Sequence, residues 1–155
     1  MKIIDGHRLP TVTKYSIKGF FGDYRFLSNF HMCQVRVLGI TYPSSEHAYM
    51  AMKTTNKQDR RGLRDIKTAI AARAAGRGIR LRDDWEDLKL VAMRLVIQAK
   101  FTQNKDLGKL LLETGSKYLE ETNNWSDVFW GANVDGEGQN HLGKILMSVR
   151  LELSL

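Results

Sequence analysis

Between Asp83 and Phe101 the chain reads DDWEDLKLVAMRLVIQAKF, and Leu88, Val91, Ala92, Leu95 and Ala99 recur at the three-and-four spacing of one helix face. Asp83 with Glu86 three positions later has the spacing of a capping box, so a long amphipathic helix is predicted from about Asp83. Helical spacing returns twice downstream. One run extends from about Lys105 through LGKLLLE to Gly115; the other begins near Asn140 and places Leu142, Ile145, Leu146, Val149 and Leu153 on its buried side. Upstream, Ser44 or Ser45 supplies the N-cap of a helix reaching about Lys53, and a further helical region spans about Arg60 to Ala75 before the glycines of GRG.

The first forty residues follow a different period. KYSIKGFF is rich in β-branched and aromatic residues, and QVRVLGITY alternates Val35 and Val37 against Gln34 and Arg36, with Gly39 placed for a hairpin turn. KYLEE is a short extended segment, followed by a loop, NNWSDVFWGANVDGEGQN. Strands first and helices later, without alternation, predict an α+β fold: a single helix-rich domain with a short N-terminal antiparallel β region. No repeat or linker marks a domain boundary.

Composition narrows the class. The 155 residues suffice for one substantial core, and 43% hydrophobic with 26% charged residues is the make-up of a soluble globular chain. Cys33 is the single cysteine, so no internal disulfide and no cysteine zinc framework are expected. No apolar run has the length of a membrane span, and MKIIDGHRLP lacks a signal-peptide segment, so a cytoplasmic protein is expected, with no membrane partner. A net charge of +7 favours phosphate-bearing partners, whether metabolites or nucleic acid. The excess is uneven: Arg60, Arg61, Arg64, Lys67, Arg73, Arg77 and Arg80 fall between Lys57 and Arg82 with Asp59 and Asp65 to offset them, a run that also reads as a solvated face.

Within YPSSEHAYMAMK, Glu46 falls in the first turn of its helix, where unpaired amides and the helix dipole favour a carboxylate. That position serves helix stability as well as function. Glu46, Met50 and Lys53 share a stripe flanked by Tyr49, which suits the lining of a pocket, whereas His47 lies about 100° around the helix and has a structural reading. Trp85, Lys89 and Met93 form a second such stripe, suited to a base and a phosphate or, equally, to a core tryptophan beside a solvated lysine. FLSNF embeds Ser28 and Asn29 between aromatic residues, and buried amides need partners. In FWGANVDGEGQN, glycines surround Trp130, with Asp127, Asn133 and Asn140 as polar groups of a candidate binding loop. His7, His31, His47 and His141 are scattered without metal-ligand spacing, and neither a phosphate loop nor a nucleophile elbow is present. No metal or cofactor is expected.

Taken in order, FLSNF, YPSSEHAYMAMK, GRG with the W-x3-K-x3-M helix and AKF, LLLETG, FWG and GQNHLGKILMSVR resemble the NADAR family, which includes the bacterial YbiA-type proteins. The match runs from about Phe20 to Leu153. It implies one NADAR-like domain over residues 1–155 (core about 15–153) that hydrolyses N-glycosidic bonds without a metal. Two substrate classes come with the family: ribosylamino-pyrimidine phosphates of early riboflavin biosynthesis, and ADP-ribosyl guanine, including that of ADP-ribosylated DNA. A non-catalytic module binding ADP-ribose or nucleic acid is the third reading. Carried over by motif, Glu46 and Asp127 are the catalytic carboxylates, with Lys53, Trp85, Lys89, Trp130, Gly131 and Asn140 in the site. Lys53, Lys89 and Arg77 are then expected on phosphate, with Trp85, Tyr49 or Trp130 against the base and Asn29 as a further substrate-binding residue. IKTAIAARAA before GRG, and Thr122, Asn123 and Asn124 ahead of Trp125, depart from the family pattern and bear on substrate choice.

Overall fold

A computed structural model describes residues 1–155 as two compact units. The central unit is Asn29–Lys105; the terminal unit joins Met1–Ser28 to Asp106–Leu155.

In the terminal unit, β1 (Lys2–Ile4) and β2 (His7–Leu9) form a hairpin closed by Asp5 and Gly6, both at positive φ. Two such residues make a turn whose twist matches paired strands. Strand β3 (Thr11–Val12) pairs antiparallel with β4 (Ser16–Lys18), and a 3-10 turn follows at Gly22–Leu27. The chain returns through α5 (Lys105–Glu113) to β7 (Tyr118–Glu120), which pairs with β4 in parallel, Ile17 opposite Leu119. Helix α6 (His141–Leu153) packs on β7, burying Leu142, Leu146 and Val149; Ile145 and Leu153 of the predicted face are half-buried.

In the central unit, β5 (Met32–Val37) and β6 (Ile40–Ser44) form the predicted hairpin, turning at Leu38 and Gly39, again both at positive φ. Helix α1 (Ser45–Met52) follows β6 directly, and every one of its residues is buried among β5, β6, α2, α3 and α4. Ser44 caps it: its Oγ accepts the His47 N–H (3.2 Å) and donates to His47 Nδ1 (2.6 Å), while His47 Nε2 donates to the Ile66 carbonyl (2.9 Å). Burial also lowers the His47 pKa, favouring the neutral ring that these bonds require. Ser44→Ala removes a cap worth about 1 kcal/mol and strands a buried acceptor at about 1–3 kcal/mol. A urea titration of this variant is expected to show about 2–4 kcal/mol less stability.

Two expectations need correction. The stretch 60–75 is not one helix: α2 (Lys57–Arg64) starts earlier, with the Asn56 side chain accepting from Gln58 and Asp59 N–H groups, and α3 (Ala69–Arg77) starts afresh with Thr68 accepting from Ala71 N–H. The Asn56 cap sets the earlier start of α2, and the Thr68 cap, by accepting the Ala71 amide, starts α3 separately after the break at Asp65–Thr68. The long helix α4 is Trp85–Gln103, and its N-cap is Asp84, whose carboxylate receives the Arg82 guanidinium instead of capping. Its buried face is also rotated: Trp85, Ala92, Met93, Val96, Ile97, Lys100 and Phe101 are buried, while Val91 is 55% exposed and Leu95 48%. The side toward β5 and α1 carries the bulkier Trp85, Met93 and Phe101, and their burial outweighs that of the regular Leu and Val stripe.

Candidate active site

Glu46, the second residue of α1, is 7% exposed. Its N–H donates to the Asn29 carbonyl (3.1 Å), and Ser45 Oγ donates to Asn29 Oδ1 (3.0 Å). The start of the catalytic-candidate helix is thereby fixed to the segment before β5. Asn29 Nδ2 faces Met93 Sδ at 3.4 Å. A thioether is a weak acceptor, so this buried amide keeps donor capacity for a ligand.

Two turns along α1, Lys53 Nζ lies 5.8 Å from the Tyr49 ring centre and 6.0 Å from that of Trp85, and the two rings meet at 5.3 Å. The Trp85 side chain that sequence spacing left between core and site is therefore both buried and beside Lys53. Burial pulls the Lys53 pKa down, the Glu46 charge raises it, and Arg73 and Arg77 lower it further. The Glu46 carboxylate of α1 and the Arg73 and Arg77 guanidinium groups of α3 thus all act on Lys53. Gly76 allows this approach, because a Cβ there would run into the Met50 side chain.

Half-buried Lys89 donates to the exposed Glu86 carboxylate (2.7 Å), one turn back on α4. Arg73, absent from the expected site residues, lies 5.8 Å over the Phe30 ring. Its only sequence signal was its place one helical turn before Arg77. The Cys33 thiol is pushed up by burial, partly opposed by Lys100, which is not the environment of an activated thiolate.

The remaining expected residues belong to the terminal unit, where the chain itself uses their polar groups. Asp127 Oδ1 accepts the Phe129 (3.2 Å) and Trp130 (2.9 Å) N–H groups. The carbonyls of Phe129, Trp130 and Gly131 then accept from His141, Leu142 and Asn140, so the FWG segment satisfies the first amides of α6. Gly131 has a packing cause: a Cβ would strike the Glu121 carbonyl and Asn123. Asn140, at φ 49°, accepts from Glu121 N–H (3.1 Å) and donates to Leu119 O (2.9 Å) and the Tyr118 hydroxyl (3.0 Å). Trp130 stands edge-on to Phe129 at 4.8 Å. No cluster of three or more His, Cys, Asp or Glu side chains is arranged to hold a metal, and no helix is long and apolar enough to cross a membrane.

The fold is α+β, with the buried Glu46 carboxylate on the same helix as Lys53, which lies beside the Tyr49 and Trp85 rings. The NADAR domain family model matches residues 19–154, and the chain belongs to that family. It is 35% identical to the N-glycosidase YbiA of Escherichia coli (strain K12) over 98% of both chains. It is 39% identical to the riboflavin biosynthesis protein VVA0006 of Vibrio vulnificus over 84% of this chain, a match that spans 36% of that longer protein. The NMR structure of E. coli YbiA superposes with a TM-score of 0.81 at 34% identity, covering 93% of this chain and 88% of that one.

Proposed function

We propose that this chain hydrolyses the bond between ribose and base in ribosylamino-pyrimidine phosphates of early riboflavin biosynthesis, with Glu46 as the central carboxylate. That it is a hydrolase of N-glycosyl bonds follows from family membership and from full-length likeness to an N-glycosidase. The observation that carries the site assignment is the buried Glu46, fixed at its helix start by Asn29 and coupled to Lys53. Breaking the bond builds positive charge at the anomeric carbon as the base departs with the bonding electrons. A carboxylate in the water-poor start of α1 stabilises that cation and orients or deprotonates the attacking water. Tyr49 and Trp85 supply ring faces for the base, and Lys53 and Arg77 supply charge for the phosphate. Asp127 is the second acidic candidate, Lys89 a further phosphate ligand, and Trp130, Gly131 and Asn140 shape the loop. The riboflavin assignment draws support from the name of the Vibrio relative.

The basic run favours a second reading, ADP-ribosyl guanine. Residues 57–82 carry nine basic and two acidic side chains, an excess equal to the whole chain's +7; the rest of the chain carries fifteen of each sign. Such a surface suits a longer anionic substrate, including DNA. Purified protein is to be incubated in parallel with a ribosylamino-pyrimidine phosphate and with an oligonucleotide bearing ADP-ribosyl guanine. Faster sugar release from the pyrimidine supports the first reading, and faster ADP-ribose release the second. Binding without turnover of either would leave the non-catalytic module.

Lys53 gives this site a pH signature. Because burial and the neighbouring arginines depress its pKa, the ammonium loses its proton at lower pH than an ordinary lysine. The kcat/KM for a phosphorylated substrate is therefore expected to fall on the alkaline side below the usual lysine range, and Lys53→Arg to move that limb to higher pH.

A further inference from the structure

We propose that Arg73 and Arg77 of α3, with Lys53 at the end of α1, form a phosphate-binding cluster, and that Arg73 sets the preference for 5′-phosphorylated over unphosphorylated ribosides. This rests on the reading of Glu46 as the centre of an N-glycosidase site.

The arginines of the basic run divide by how they are used. Arg60 donates to the Ala51 carbonyl, Arg64 pairs with Asp65 and Arg82 with Asp84. Arg73 and Arg77 make no such bond. They sit one turn apart on α3, the face on which charges at this spacing converge. Arg73 is half-buried and held over Phe30, the residue after Asn29, whose carbonyl fixes the Glu46 N–H. Held over Phe30, the guanidinium makes no ion pair with a protein carboxylate.

The charge count indicates the ligand. Lys53, Arg73 and Arg77 against Glu46 leave an excess of two positive charges, matching a phosphate monoester dianion. Crowding like charges is unfavourable without an anion: the Lys53 pKa is lowered chiefly by burial, and Arg73 and Arg77 lower it further. A guanidinium offers paired N–H donors to phosphate oxygens, which a lone ammonium does not. Gly76, between the two arginines in sequence, lets α3 lie against Met50 of α1 and so brings them to Lys53.

The test compares kcat/KM for a ribosylamino-pyrimidine 5′-phosphate and its dephosphorylated counterpart. Arg73→Ala is expected to lower the value for the phosphorylated substrate by about 10- to 100-fold, mainly through KM, and to collapse the preference between the two. Arg73→Lys should restore part of it. Lys109→Ala, an exposed change on α5, should keep the wild-type preference. Equal losses on both substrates, or an unchanged preference, would overturn the proposal. If Arg73→Ala unfolds, Arg77→Ala, at an exposed position, carries the same prediction.

A calorimetric comparison of ribose 5-phosphate with ribose separates the two ideas. Wild-type protein that binds the phosphate selectively yet cleaves no riboside supports the cluster and contradicts the N-glycosidase reading. Protein that cleaves ribosides without preferring the 5′-phosphate contradicts the cluster alone.

Discussion

Replacing Glu46 by glutamine is expected to lower the turnover of ribosylamino-pyrimidine phosphate by about 10²- to 10⁴-fold, the range associated with one group in acid–base catalysis. Glutamine keeps the size of the side chain and leaves the Glu46 N–H bond to Asn29 intact, because that bond is made by the main chain. It removes the negative charge that opposes the build-up of positive charge at the anomeric carbon. The fold should therefore persist, with thermal melting near that of the wild type, and substrate binding should survive. Asp127→Asn is the contrasting variant. Asp127 Oδ1 orders the Phe129 and Trp130 amides, a role that an asparagine oxygen partly reproduces. Its turnover should fall much less than that of Glu46→Gln; the reverse ranking would move the catalytic carboxylate to Asp127.

Asn140→Ala is expected to cost about 3–8 kcal/mol of stability, the largest loss among the substitutions considered. Alanine at φ 49° is disfavoured by about 1–2 kcal/mol. The substitution also strands the Leu119 carbonyl and the Glu121 N–H, each at about 1–3 kcal/mol when left unpaired. The loss should appear as a shifted urea midpoint at unchanged slope. Asn140→Gly, which relieves the backbone but not the lost bonds, should recover only the first part. If Asn140→Ala leaves stability intact and weakens substrate binding alone, the residue serves the ligand and not this lock. Because α6 begins at Asn140 and its first amides rest on the FWG carbonyls, the variant should also loosen the loop carrying Trp130.

The parts of the fold that local chemistry specifies were legible in the sequence. Ser44 before a buried helix, Gly39 in a β turn and the apolar side of α6 each follow from caps, turn residues or period, and each occurs. The break after Arg64 was not legible, because Asp65–Thr68 contains neither glycine nor proline and Thr68, whose side chain caps the new helix, looks like an ordinary polar residue. The face of α4 was misread for a different reason. Its regular Leu and Val stripe is exposed, and what decides the buried side is the position of β5 and α1, a tertiary matter that periodicity does not encode.

The candidate site divides in the same way. Glu46, Tyr49 and Lys53 share one short helix, so their proximity is written in i, i+3 and i+7. Trp85 and Arg77 join them through packing, with Gly76 permitting the contact between α3 and α1. Arg73 was hidden within a run of seven similar residues, and only its surroundings distinguish it from the solvated ones. Asp127, Gly131 and Asn140 carry the family motif but spend their polar groups or their missing Cβ on the terminal unit's own loop.

The most direct measurement is single-turnover release of ribose 5-phosphate and free base from a ribosylamino-pyrimidine phosphate, by wild-type protein and Glu46→Gln side by side. Equimolar release by the wild type, with the variant slowed by at least about 10²-fold while still binding substrate, is the predicted result. No release by folded wild-type protein, or equal rates for the two, would contradict it.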